Sequence, residues 1–452
     1  MLRAASPTPD PARLRRADLL RLHRQRLEHL LNLLRRAGGF YGERLAGVPA
    51  ALLGPPPPAA AFAGSGATED AYDAFLDELA GIPLTARADL EADQRASPPY
   101  GTNLTEPLAR YVRLHQTSGS GGAPLRWLDT AESWAWWKRC WTLVYRAAGL
   151  APTDRLLFPF SFGPFIGFWS AFETAADLGN AVLPAGGMTT NARLRYLLDN
   201  DVTVVCCTPT YALHMAEAAH AQGLDLARSR VRLLIVAGEP GGGVPATRAR
   251  IESAWGARLI DHAGMTEIGA WGCEPLETPG VMHVNEAEFI AEVIDPATLR
   301  RVADGQCGEL ILTNLGRLGS PLVRYRTGDL VRLTRRGASA WGCFARLDGG
   351  VLGRTDDLLF VRGNNVFPSA IEGILREFES VVEFRLALQP TDGLNDLLIE
   401  VELRPAADGP AVAERLTAEV RDRLNFRPIV SVVPPGALPR YEFKARRIRK
   451  DE

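Results

Sequence analysis

The sequence predicts a large α/β domain, with mixed and parallel sheets flanked by helices, followed by a small α+β domain. Two observations predict it. From about residue 130, helical patterns alternate with short apolar runs, 155-RLLFPF-160, 202-VTVVCC-207, 231-VRLLIVA-237 and 257-ARLI-260. Short β-rich runs between helices are what buried parallel strands look like. Near residue 350 the character changes: 380-SVVEFRLALQPTDGLNDLLIEVEL-403 reads as two strands about a TDGLND turn. A helix over 411–426 and a strand over 429–433 complete a small α+β unit, so the expected domains are 1–353 and 354–452.

Taken in order, the leucines Leu20, Leu27, Leu30, Leu31 and Leu34 recur at helical spacing and predict an amphipathic surface helix. Residues 51–68 (ALLGPPPPAAAFAGSGAT) read as a low-complexity linker forming a mobile surface loop. The segment TAESWAWWKRCWTLVYRAAG is a helix with Trp134, Trp137 and Trp141 on one face, and helical spacing favours core packing over an aromatic binding surface. The four strand-like runs are followed by SFGPFIGFW, TPTYA, GEPGGG and DHAGMTE. Ligands of open α/β sheets bind beyond the carboxyl ends of the strands. Four turns rich in glycine, hydroxyls, aromatics and acids therefore predict one site along one edge of the sheet.

Bulk properties exclude several classes. A formal net charge of −2 argues against a general nucleic-acid or anionic-membrane binder. No run approaches the roughly 18 apolar residues of a membrane span, and the basic N-terminus lacks the apolar centre of a signal peptide. Six cysteines in 452 residues do not form a disulfide framework. The expected protein is cytoplasmic, and the sequence leaves monomer and homodimer both open.

The chemistry starts at 115-HQTSGSGGAP-124. Glycines at 119, 121 and 122 allow close backbone approach, so successive N–H groups can face an anion, and Thr117, Ser118 and Ser120 add hydroxyls. The loop is not of the Walker type, and alone it reads by default as a flexible turn. The chain also carries 264-GMTE-267, 324-RYRTGDL-330, 353-GRTDDLLFVRGNNVFPSAIE-372 and 439-PRYEFKARRIRK-450. In this order they resemble the motifs of the adenylate-forming superfamily of acyl-CoA synthetases, adenylation domains and luciferases. Within it, FYGERL, IPLTARADL, 181-AVLPAGG-187 and 310-LILTNLGRLGSPLVRYRTGDL-330 resemble the phenylacetate–CoA ligases, from about residue 20 to the C-terminus.

The resemblance implies activation of an aromatic carboxylic acid by ATP and Mg²⁺ to an acyl-adenylate, then transfer to CoA. It implies that Thr117, Ser118, Gly119, Ser120, Gly121 and Gly122 hold the β- and γ-phosphates. The nucleotide would also meet Gly238, Glu239 and Pro240, then Asp261, His262, Ala263, Gly264 and Met265. Thr266 would touch the α-phosphate, Glu267 would bind Mg²⁺, Asp329 the ribose hydroxyls, and Arg354 the ribose side. Lys444, from a mobile small domain, would reach the carboxylate and α-phosphate. Asp356 would be the hinge, and 362-RGNN-365 would line a tunnel for CoA. Phe160, Phe162, Phe165, Tyr211, Ala237 and Gly238 are candidates for the acid pocket, although the aromatics fit a core equally well. Cys273, His283 and Cys343 raise a structural zinc, with no fourth ligand evident.

Two positions depart from the family pattern: the usual loop lysine is Ala123, and the usual tyrosine before the GMTE turn is Ala263. Transfer to an amine, hydroxyl or carrier-protein thiol therefore stays open beside CoA, as does a nucleotide-binding homologue without catalysis. A kinase or P-loop ATPase does not, since neither catalytic loop is present. A loop that holds ATP through backbone N–H and hydroxyl groups predicts that Ala123→Lys leaves ATP affinity unchanged or improves it. A large loss of ATP binding, measured by calorimetry, would show that the loop does something else.

Overall fold

The computed structural model describes residues 14–49, 65–117, 124–164, 166–337, 339, 341–391, 394–442 and 444–449. The N-terminal helices are α1 (Arg16–Ala37), α2 (Gly39–Arg44), α3 (Ser65–Glu78) and α4 (Arg87–Ala96). A hairpin of β1 (Tyr111–Gln116) and β2 (Arg126–Thr130) leads into α5 (Ala131–Ala147), β3 (Arg155–Phe158), α6 (Trp169–Asp177) and β4 (Ala181–Pro184). Next come α7 (Thr190–Asp199), β5 (Val204–Cys207), α8 (Pro209–Ala221), β6 (Leu233–Ala237), α9 (Pro245–Trp255) and β7 (Arg258–Met265). The strands β8 (Gly269–Cys273), β9 (Val281–Val284), β10 (Phe289–Ile294), β11 (Cys307–Asn314), β12 (Tyr325–Thr334) and β13 (Arg346–Arg354) follow without a helix between them. The C-terminal part holds β14 (Leu359–Val361), β15 (Asn364–Val366), α10 (Pro368–Glu377), β16 (Val381–Thr391), β17 (Leu394–Leu403), α11 (Gly409–Leu424), β18 (Ile429–Val433) and β19 (Ile448–Arg449).

Contacts divide the chain into two compact units. One takes the chain up to Thr153, Ser161–Val182 and His262–Gly350; the other takes Asp154–Phe160, Leu183–Asp261 and everything from Val351 on.

The first unit is built on antiparallel strands in the order β10-β11-β12-β13-β9-β8-β7. The tryptophans of α5 are core residues, as helical spacing predicts: Trp134, Trp136, Trp137 and Trp141 are all buried. Helix α1 buries Leu20, Leu27, Leu30, Leu31 and Leu34 along one stripe. The 51–68 linker needs a correction at its end, because Ser65 to Thr68 begin α3; residues 51–64 lie outside the described residues. A second correction concerns DHAGM: it continues β7 as far as Met265 and pairs antiparallel with β8, with a bulge at Ala263/Gly264. Alternation of side chains is weak there because the segment holds two small residues, so no strand pattern shows in the sequence.

The second unit contains β3, β5 and β6, paired in parallel. Their apolar faces pack with α7, α8 and α9 in one core that includes Leu157, Val205, Val236, Tyr211, Ile251 and Trp255. Helix α8 starts where the sequence places a turn: Thr208 caps it by accepting from Tyr211 N, and Pro209 follows at the first helical position. The remainder is a four-stranded sheet, β18-β17-β16-β19, with its own core of Ile371, Leu375, Phe384, Ile399 and Leu416.

Gly269 shows how tightly the β7–β8 turn is set. Its φ is +131°, and a Cβ there would lie 2.6 Å from the Trp136 ring. Gly269→Ala meets both backbone strain and a fully packed indole, so urea unfolding should show a loss of about 2 kcal/mol.

Candidate active site

The turn between β7 and β8 carries Thr266 and Glu267, and a buried arginine holds it from behind. Arg317 donates to the Asp129 carboxylate through Nε (2.7 Å) and Nη2 (2.6 Å), and both side chains are fully buried. The guanidinium lies 5.4 Å from the Trp127 ring and 5.2 Å from the Trp137 ring. Its remaining Nη1 donates to the carbonyls of Thr266 (2.5 Å) and Glu267 (3.0 Å). An arginine has five donors in a rigid plane; here two fix it to Asp129 and a third fixes the turn. The sequence reading missed Arg317, although it stands inside the quoted NLGRLGSP segment.

In front of the turn, the buried Glu267 carboxylate accepts from Arg87 Nη1 at 3.1 Å. Nη2 of the same arginine reaches Thr117 Oγ1 at 3.3 Å, and Nε donates to Glu91 Oε1 at 2.9 Å. Arg87 is placed by its neighbours. Thr85 bonds the start of β12 on both sides, to Arg324 O and from Arg326 N, each at 2.9 Å. The Asp89 carboxylate then accepts from Ala86 N at 2.8 Å and opens α4. Thr117 itself is pinned: its N–H donates to Leu125 O and its Oγ1 accepts from Leu125 N, both at 2.9 Å. Thr117, Glu267 and Arg87 therefore meet at the base of the glycine–serine loop. Ser118, Gly119, Ser120, Gly121, Gly122 and Ala123 lie outside the described residues.

Asp329 is buried on β12, its N–H donating to Thr327 Oγ1 at 3.0 Å. His262 is buried too, with Nδ1 2.7 Å from Gly272 O and its ring 4.4 Å from Trp141, and burial pulls its pKa down to about 4. That ring packs inward from the strand, while Ala263 is half-buried and Gly264 is exposed. Phe162 packs edge-on against Trp169 and Phe172. Phe165 lies outside the described residues.

In the second unit, Ala237 ends β6 and Gly238 turns the chain at φ +98°. A Cβ on Gly238 would stand 3.3 Å from Lys444 Cε, so the absent side chain leaves the lysine stem its path. Glu239 accepts from Thr210 N at 2.8 Å and from Ala445 N at 2.6 Å. Asp261 packs against Gly242, where a Cβ would lie 2.5 Å from its Cγ. Phe160 is buried edge-on to Phe158. Tyr211 is 1% exposed, with its hydroxyl bonded to Arg193 Nη1 (2.6 Å) and Thr190 (3.1 Å), so both ends of the ring are engaged by protein. Arg354 pairs with the exposed Asp356 at 2.9 Å. Arg362 and Gly363 of RGNN form the two-residue turn of the β14–β15 hairpin, both at positive φ.

The zinc expectation does not fit. Cys273 and His283 face each other across β8 and β9. The His283 Nε2, however, is committed to Ser339 Oγ at 2.8 Å. Among the described residues no three His, Cys, Asp or Glu side chains are grouped as metal ligands.

Comparison with known proteins bears on this geometry directly. Residues 111–316 match the AMP-binding enzyme family, and residues 363–451 match its AMP-binding enzyme C-terminal domain. The chain is 32% identical over 379 residues to phenylacetate-coenzyme A ligase of Pseudomonas putida, covering 82% of this chain and 84% of that one. The chain belongs to this family. It is an AMP-forming acid–thiol ligase of the phenylacetate–CoA ligase branch. The Escherichia coli phenylacetate-coenzyme A ligase is 30% identical to it, over 82% of this chain and 85% of the other. Among solved structures, a 2-hydroxyisobutyryl-CoA ligase in its postadenylation state superposes with a TM-score of 0.88 at 25% identity, covering 100% and 94% of the two chains. In its thioesterification state with CoA, the score is 0.70 at 26% identity, again over 100% and 94%. The ligase's described residues include no helix long and apolar enough to cross a membrane.

Removing one partner of a buried pair leaves an uncompensated charge, a cost of about 3–5 kcal/mol. Asp129→Ala should lose that much in denaturant unfolding. The double variant Asp129→Ala/Arg317→Met should recover part of it, and strictly additive losses would show that the pair is not coupled.

Proposed function

We propose that the ligase activates an aromatic carboxylic acid with ATP and passes the acyl group to the thiol of coenzyme A. The observation that carries this reading is the convergence of Arg87, Thr117 and Glu267 on the base of the glycine–serine loop, with the Thr266–Glu267 turn clamped by Arg317. In the first step a carboxylate oxygen attacks the α-phosphorus, the bond to the bridging oxygen breaks, and pyrophosphate leaves. In the second the thiol sulfur attacks the acyl carbon, AMP leaves, and the thiol proton is released.

Little covalent work falls to the protein; it must orient the groups and neutralise charge. The missing lysine at Ala123 leaves the triphosphate short of a cation, and Arg87 stands where it supplies one. A carboxylate is a hard oxygen donor, and one carboxylate with substrate phosphates is the usual magnesium set. Glu267 fits it: Mg²⁺ would be held there and would neutralise phosphate charge. Thr266 then faces the α-phosphate, Asp329 takes the ribose hydroxyls as a carboxylate accepting two donors, and Arg354 supports the ribose side. Lys444 is the mobile cation for the carboxylate and α-phosphate, with residues 354–452 turning at Asp356 between the two steps. The identity to curated phenylacetate-coenzyme A ligases supports an aryl acid, and an enzyme that consumes ATP and CoA works in the cytoplasm.

Pyrophosphate exchange over a panel of aryl and alkyl acids tests the first step, and mass spectrometry of products with and without CoA tests the second. Exchange with no acid would sink the reading; an adenylate with no CoA thioester would shift the acceptor to an amine, hydroxyl or carrier thiol. Lys444→Ala should lose most exchange while still binding ATP. Arg87→Ala should raise the KM for ATP about tenfold, the worth of one charge-assisted contact.

A further inference from the structure

Glu239 sits at a junction that its position in the GEPGGG turn does not reveal. Its side chain is half-buried, and each carboxylate oxygen is taken by a backbone amide. Oε1 accepts from Thr210 N at 2.8 Å, in the first turn of α8, and Oε2 accepts from Ala445 N at 2.6 Å, the residue next to Lys444. Because α8 opens there, its unpaired N-terminal amides favour a negative charge. Burial raises the carboxyl pKa, and Arg447 and the two amides oppose that rise. Arg447 in turn donates to Thr210 Oγ1 at 3.2 Å and to Glu383 at 2.7 Å.

Two other bonds tie the 440–447 segment to α7 and α8. Arg193 meets Glu442 at 3.1 Å, but that carboxylate is 56% exposed, and Arg440 lies 3.6 Å from Glu217. Solvent-exposed pairs contribute little. A half-buried carboxylate that accepts from two backbone amides is the stronger tie, and it is adjacent to the lysine.

We propose that Glu239 is a positioning residue for adenylation: it anchors the Lys444 segment through Ala445 N–H and ties it to the start of α8 through Thr210 N–H, and it serves that half-reaction alone. The proposal rests on the adenylating role of Lys444. A displacement of about 1 Å at a reacting group costs on the order of a hundredfold in rate. Loss of the anchor lets the lysine drift.

The test uses the full chain with phenylacetate and ATP for pyrophosphate exchange, and synthetic phenylacetyl-adenylate with CoA for thioester formation. Glu239→Ala should lower kcat for exchange about a hundredfold. Glu239→Gln keeps one acceptor oxygen and should lose about tenfold; it also preserves the test should the alanine variant fold poorly. Thioester formation from the adenylate should fall by far less in both. Equal losses in the two half-reactions would mean a structural role and overturn the proposal, as would unimpaired exchange in both variants. Lys444→Ala, assayed alongside, separates the layers. If it loses exchange and the Glu239 variants do not, only the anchor fails; if it keeps exchange, the lysine reading itself fails.

Discussion

The fixed point of the site is a charged pair with no solvent. Arg317 and Asp129 are both fully buried between Trp127 and Trp137, and burying two charges is costly unless every lone pair and proton finds a partner. Arg317 meets that condition only by donating to the Thr266 and Glu267 carbonyls as well. The turn is therefore not simply a loop that happens to present two useful side chains. Its backbone is part of what makes the buried pair tolerable, and the two tryptophans, on β2 and α5, tie it to the core. A site built this way resists small shifts, because moving the turn would strip a buried guanidinium of acceptors.

A second economy concerns cations. Phosphate sites need positive charge, and this chain has no lysine in its glycine–serine loop. In the proposed function the charge comes instead from a different part of the sequence, through Arg87 at the start of α4. That helix is set against β12 by Thr85, and β12 also carries Asp329. One strand thus organises both the arginine that meets Thr117 and Glu267 and the carboxylate expected at the ribose. The arginine is already paired to Glu267 and Thr117, so it is held in place rather than left to search.

The fold was largely legible because its signals are local. Short β-rich runs gave β3, β5 and β6, the TDGLND turn gave β16 and β17, and tryptophans at helical spacing gave a buried α5. What could not be read depends on distant pairing. The strand from Asp261 to Met265 has two small residues and a bulge, so its period is hidden and only β8 makes it a strand. Arg87 and Arg317 look like two of many arginines in a chain with 51 basic residues; only the partners at Glu267 and Asp129, 180 and 188 residues away, distinguish them. Tyr211 misled in the opposite sense: an aromatic after a strand suggests a pocket wall, yet its hydroxyl is spent on Arg193 and Thr190. Glu239 was visible as an acid in a turn, but which amides it holds was not.

Burial of the cysteines has a consequence for chemical self-protection. Cys206 and Cys207 close β5, Cys140 lies in α5 and Cys273 ends β8; all four are buried, and burial drives each thiol well above its usual range. An acyl-adenylate is an electrophile made to be captured by sulfur, and the reactive form of sulfur is the thiolate. Thiols kept protonated and out of water cannot compete with an incoming thiol for the activated acyl group. The same packing that fills the core therefore shields these four thiols from the activated acyl group, whereas Cys307 is exposed.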